Sequence, residues 1–147
     1  MCRLAVLALV ALSACGSFRR DSFPEAQQLV SAVAQRYTEV IRLTLHTVPS
    51  GETELRTIAS TDPARVGRPS DPEDVQAMRS GEEVVLEESE AIDVTVPVLQ
   101  LQGAATAVVG GTLRHPAGRA REATVLRARE IARAVANAVQ RSPEPMW

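Results

Sequence analysis

Between Pro24 and Tyr37 the apolar residues Ala26, Leu29, Val30, Val33, Ala34 and Tyr37 recur every three or four positions, while Gln27, Gln28, Gln35 and Arg36 occupy the other sides. That is the stripe of an amphipathic helix, with Pro24 suited to its first turn, and it predicts a helix over about 24–38. The period then falls to two. Ile41-Arg42-Leu43-Thr44-Leu45-His46 alternates apolar and polar residues as a half-buried strand does. Pro49-Ser50-Gly51 breaks it, and a second strand over about 55–60 completes an antiparallel hairpin. Ser70-Asp71-Pro72-Glu73-Asp74 offers an Asp cap, a proline at the first helical position and acids in the positive first turn, so a short helix is expected over about 72–79, stopped by Ser80-Gly81.

Three further strands are predicted, at about 83–87, 91–99 and 104–113, the last two joined by a turn at Gln100-Leu101-Gln102-Gly103. In the middle one Ile92, Val94, Val96 and Val98 share a face, with Asp93 and Thr95 on the other. Gly110-Gly111 weakens the last strand and marks a bulge or a close backbone approach. Val125, Ala128, Ala132, Val135 and Val139 then return to helical spacing, giving a second long helix over about 123–140. The tail 142–147 carries two prolines and is expected to be extended or frayed. The order α, β, β, short α, β, β, β, α describes an α+β fold. One five-stranded antiparallel sheet would carry the long terminal helices on one face and the short helix over the other, in a single domain over 24–141.

Composition narrows the function. The chain has 147 residues, enough for one ordinary domain, and a net charge of −2. Arginine supplies every basic residue, so lysine Schiff-base chemistry and a phosphate-loop lysine are excluded. The acidic balance lacks the basic stripe of a nucleic-acid binder. Charge is segregated: residues 62–93 hold ten acids against Arg65, Arg68 and Arg79, whereas residues 114–141 hold seven arginines against Glu122 and Glu130. Such a dipolar domain could dock head to tail or on an acidic partner. Ala128, Ala132 and Ala136 would also let a partner helix approach closely, which makes a homodimer an option. Two isolated histidines, His46 and His115, give no metal-binding constellation. No nucleophile elbow, metalloprotease helix, phosphate loop or dinucleotide fingerprint is present, and the acid pairs Glu82-Glu83 and Glu87-Glu88 point to opposite faces of a strand. The expectation is a protein without catalysis and without cofactor.

The first fifteen residues, MCRLAVLALVALSAC, have a short basic start, an apolar stretch and then small residues, as in a secretory signal peptide. Leu12-Ser13-Ala14-Cys15 closely resembles the bacterial lipoprotein box. The resemblance implies a signal peptide over 1–14, lipidation of Cys15, a tether over 15–23 and attachment to the membrane through the N-terminal lipid. Gly16 after the cysteine implies sorting to the periplasmic face of the outer membrane. Cys2 would leave with the signal, so no disulfide is expected.

The element order, with Ile58-Ala59-Ser60-Thr61-Asp62-Pro63-Ala64-Arg65-Val66-Gly67, Ala77-Met78-Arg79-Ser80-Gly81-Glu82 and Val94-Thr95-Val96-Pro97-Val98, resembles the extracytoplasmic Cache domains, PAS-like sensors of bacterial receptors. GAF and roadblock-like domains share five-stranded folds of this kind and remain open alternatives. A PAS-like sheet would bind its ligand on the face free of the terminal helices, beneath the connection from Thr61 to Gly81. The period-two pattern alone leaves open which face that is. If Ile41, Leu43 and Leu45 face the helices, then Arg42, Thr44 and His46 point to the pocket, joined by Arg56 from the next strand, and the arginines would pair with a carboxylate ligand. The expectation is a lipid-anchored sensor-like domain for a small anionic metabolite that reports to another envelope or sensor protein. The alternative is an envelope scaffold whose pocket is filled by its own side chains.

Overall fold

The computed structural model describes residues 23–100 and 102–147. Its elements are α1 (Pro24–Ala34), β1 (Val40–Thr47), β2 (Arg56–Ser60), a short 3-10 turn (Pro63–Arg65), α2 (Pro72–Ser80), β3 (Val84–Glu88), β4 (Ala91–Leu99), β5 (Ala105–Arg114) and α3 (Arg121–Arg141). The strands form one antiparallel sheet in the order β2-β1-β5-β4-β3. The fold is therefore the expected α+β arrangement, with β5 at the centre. Among the described residues no helix is long and apolar enough to cross a membrane. The signal segment 1–14, Cys15 and the tether before Phe23 lie outside the described residues.

Helix α1 stops four residues earlier than its apolar period suggests. The Arg36 and Tyr37 amides reach back three residues, to the carbonyls of Val33 and Ala34, and so wind the end into turns. Tyr37 still packs against the core. That core lies between the sheet and the two terminal helices. Leu43, Leu45, Ile92, Val94 and Val109 meet Val30, Ile131, Ala132 and Val135, all completely buried. At about 1.5–3 kcal/mol for each large side chain removed from water, this layer dominates the stabilisation.

Gly111 faces α3 at ordinary contact distance. A Cβ there would sit 3.6 Å from both the Ala128 carbonyl oxygen and the Ala132 Cβ. The register runs through the double glycine without a shift, so it marks no bulge, and the tight contact is at Gly110, where a Cβ would meet the Thr44 side chain. The packing of α3 on Gly111 corrects the expectation for the alanine stripe. Ala128, Ala132 and Ala136 are buried within the chain and are not free to receive a partner helix.

The segregated charges also meet inside the molecule. Arg121 pairs with Glu87, Arg129 and Arg133 with Glu83, and Arg127 with Glu39 and Glu130. Arg127 additionally lies over the Tyr37 ring, 4.6 Å from its centroid. His115 accepts the same kind of local role, its Nδ1 lying 2.9 Å from the Thr124 hydroxyl. The tail is extended, with Met146 and Trp147 half-buried against the core.

Candidate functional site

Helix α2 covers the sheet face opposite the terminal helices, above β5, β4 and β3. Strand register places three cross-strand rows on that face. The first is Thr57, His46, Val108 and Pro97; the second is Thr44, Gly110, Thr95 and Val84; the third is Arg42, Thr112, Asp93 and Leu86. The helix is held by its own N-terminus. Asp74 reaches back so that its Oδ2 accepts the Asp71 backbone N–H at 3.1 Å, satisfying a donor that the first turn leaves free. Further along, Ala77 closes on Val108 and Leu55 in a small apolar cluster. The polar part of the face therefore lies under the N-terminal half of α2 and the connection before it.

Its centre is His46, which is 2% exposed. Ring nitrogen Nδ1 lies 2.8 Å from Ser70 Oγ, 3.3 Å from Thr57 Oγ1 and 3.5 Å from Asp74 Oδ2. The other nitrogen, Nε2, is buried and has no hydrogen-bond partner among the described residues. Asp74 Oδ1 accepts the Thr95 hydroxyl at 3.3 Å, and Thr44 donates to the Gly110 carbonyl at 3.2 Å. Gly110 is the floor between them. A Cβ on it would lie 2.6 Å from Thr44 Oγ1, 3.7 Å from Asp74 Oδ1 and 3.8 Å from His46 Nε2, so these three polar atoms converge over a position that only glycine leaves clear.

Burial sets the charge states. It pushes the His46 imidazole down to about 3, so the ring is neutral at pH 7. It pushes the Asp74 carboxyl up to about 7, assisted by the nearby charge of Glu73 and, less strongly, of Asp93 and Asp71. The 3.5 Å contact between them is consequently no ion pair at neutral pH but a close couple that holds a titratable proton. Asp93, 8% exposed, is also raised by burial, with the Thr112 hydroxyl and the charge of Arg42 acting against the rise.

Ser70, His46 and Asp74 are the residue types of a nucleophilic triad, but their arrangement is different. Serine and carboxylate lie at the same ring nitrogen, whereas a relay places them on opposite nitrogens. An imidazole held near 3 is also a weak base. The cluster can donate, accept and hold a proton. No group of three metal-ligating side chains occurs among the described residues.

The structure brings Arg42, Thr44 and His46 to the covered face and turns Arg56 away. Arg56 stands opposite Thr47, which follows His46 and faces the other way; its guanidinium pairs with Glu52 and Glu54 and donates to the Gly67 carbonyl. A register shift between Leu45 and His46 gives the inward position to Thr57. Thr57, Ser70, Asp74, Asp93, Thr95, Gly110 and Thr112 are absent from the residues expected of the site. The alternation of Asp93 and Thr95 against Ile92 and Val94 carried part of that signal. Asp74 was legible only as an acid in a helix first turn, because its role depends on which strands lie beneath it.

No protein-family model and no curated protein matches the sequence. Solved structures do match in fold. The GAF domain region of a putative membrane protein from Geobacter sulfurreducens shares 11% identity, over 80% of this chain and 91% of that one, with a TM-score of 0.55. Free methionine-R-sulfoxide reductase from Neisseria meningitidis, solved with its substrate, shares 18% identity over 80% and 78%, at 0.52. The inducer-binding domain of the transcription factor PobR from Acinetobacter, complexed with 3-hydroxybenzoic acid, shares 15% over 80% and 97%, at 0.51. The fold is GAF-like.

Proposed function

We propose that this domain binds a small polar molecule between the sheet and the connection that carries α2, as a sensor-like module without catalysis. The observation that carries the reading is the buried polar face itself. Thr44, His46, Thr57, Asp74, Asp93, Thr95 and Thr112 are buried where a purely structural sheet would place apolar side chains, and His46 Nε2 has no partner among the described residues. The ligand complex of the PobR domain supports the same use of the fold. Sulfoxide reduction, the activity named for the Neisseria neighbour, needs a reductant. Cys2 and Cys15 both precede the domain, which offers no thiol for that chemistry.

Attachment to the cell envelope through a lipid on Cys15 belongs to the same proposal and is supported by the Leu12-Ser13-Ala14-Cys15 sequence and the apolar stretch before it. Mass spectrometry of the protein from membranes, with Cys15→Ala as control, tests it: an intact, unlipidated N-terminus refutes the anchor. Ligand binding is tested by a thermal-shift screen of small polar metabolites. A ligand at 100 times its Kd adds about 2.7 kcal/mol and raises the midpoint by several degrees. A flat screen counts against the reading.

The scaffold alternative has one observation in its favour. Leu55, Ala77 and Val108, with Val48, Val75, Met78 and Val84, fill the space under the C-terminal half of α2. Stoichiometric capture of one envelope protein, abolished by substitutions on the exposed side of α2, would support it.

A further inference from the structure

The third row of the covered face has opposite charges at its two sides. Arg42 and Asp93 stand two strand spacings apart, about 10 Å at Cα, with Thr112 between them. They form no ion pair with each other, and Arg42 has no ion-pair or hydrogen-bond partner among the described residues. Asp93 is 8% exposed, and among the described residues only its Oδ1 is engaged, accepting the Thr112 hydroxyl at 3.0 Å. A buried carboxylate without a cation is costly, and a half-buried guanidinium without an anion forgoes its strongest interaction. Next along the row, opposite Asp93 on β3, stands Leu86, which is 40% exposed and one of the few large apolar side chains left open to solvent. Arg65 and Asp71, paired with each other, stand on the connection above.

We infer that this row binds the zwitterionic head of an apolar α-amino acid, with the ammonium at Asp93, the carboxylate at Arg42 and the side chain against Leu86. The inference rests on the proposed ligand site and replaces the purely anionic ligand expected from sequence. With Arg56 committed to Glu52 and Glu54, and Arg65 paired with Asp71, Arg42 is the arginine left without an ion-pair partner among the described residues on this face, against the carboxyls of Asp74 and Asp93. An anion alone would gain Arg42 and be repelled by the rest. A zwitterion answers both charges at once.

The test is calorimetric titration of the purified full-length chain with L-leucine, leucinamide, isoamylamine and 4-methylpentanoate, repeated on Arg42→Gln and Asp93→Asn. Leucine is expected to bind at least ten-fold more tightly than the three analogues, each of which lacks one charge. Arg42→Gln should bring leucine down to the affinity of leucinamide and leave leucinamide unchanged. Asp93→Asn should bring leucine down to the level of 4-methylpentanoate. Arg42 is half-buried and its loss leaves no core group unpaired, so the first variant remains informative should the second fold poorly. Equal binding of leucine and 4-methylpentanoate, or leucine affinity unchanged in Arg42→Gln, overturns the inference. If none of the four binds while an uncharged or purely anionic molecule from the wider screen does, the amino-acid inference fails and the proposed ligand site stands. If nothing binds, both fail.

Discussion

Replacing His46 and Asp74 one at a time should split a contribution to the pH profile that is locally flat in the parent protein. In the folded state burial lowers His46 to about 3 and raises Asp74 to about 7, so between about pH 4.5 and 6 the couple carries one exchangeable proton. In the unfolded chain, with ordinary values near 3.9 and 6.5, the same two residues also carry one, now on the histidine. Folding then neither takes up nor releases a proton from the couple, and its contribution to stability does not change with pH. His46→Gln leaves only the raised acid. Its stabilisation is full below about 3.9 and is lost as pH rises toward about 7, a slope of about −1.4 kcal/mol per pH unit. Asp74→Asn leaves only the lowered base, whose stabilisation is present above about 6.5 and is lost as pH falls, with about the same slope and the opposite sign. Over that window each variant should diverge from the parent by roughly 1–2 kcal/mol, in opposite directions. Urea denaturation followed by far-ultraviolet circular dichroism at several pH values measures this, and the slopes are informative whatever each substitution costs in absolute stability. Asp93 adds the same background to all three proteins. Parallel curves would mean that both groups titrate normally and that the polar face is open to water.

Other substitutions separate the local contacts. Gly110→Ala should destabilise by about 1–3 kcal/mol, because the new methyl meets Thr44 Oγ1 at 2.6 Å, and Thr44→Ala in the same chain should recover part of that loss; additive effects would contradict the contact. Gly111→Ala, whose methyl finds only ordinary contacts at 3.6 Å, should change stability by less than about 1 kcal/mol. Arg56→Ala should leave ligand affinity unchanged and cost at most about 1 kcal/mol, since its partners are solvent-exposed glutamates; a ten-fold loss of affinity would return Arg56 to the site. Ala132→Leu should overpack the seam against Gly111 and lower the thermal midpoint markedly, whereas an unchanged midpoint would refute the close approach of α3.

The elements of the fold were legible because most of them carry one clean period. Strand β4 matches its predicted bounds, since Ile92, Val94, Val96 and Val98 alternate without interruption and the turn chemistry on both sides is strong. The end of α1 was not, because Tyr37 keeps the apolar period after the backbone has left the helix. In the candidate site, β1 revealed Arg42, Thr44 and His46 by alternation alone. Arg56 failed the same logic because one extra residue in β2, admitted at the shift between Leu45 and His46, reverses the side on which each later side chain emerges. The couple of His46 with Asp74 joins residues 28 positions apart through a helix laid across the sheet, and no local pattern encodes that placement. The alanine stripe of α3 was visible as a close-packing surface, but its partner, Gly111, lies on the central strand of the same chain.

Mapping amide chemical shifts of the isotopically labelled protein during titration with a stabilising ligand from the thermal screen tests the central claim most directly. The account predicts saturable shifts concentrated at residues 42–46, 71–75, 93–95 and 110–112, where the polar rows meet the start of α2. Shifts confined to α1, or to the groove between residues 98–100 and Gln102 on one side and the tail 142–147 on the other, with the polar face unmoved, would contradict it.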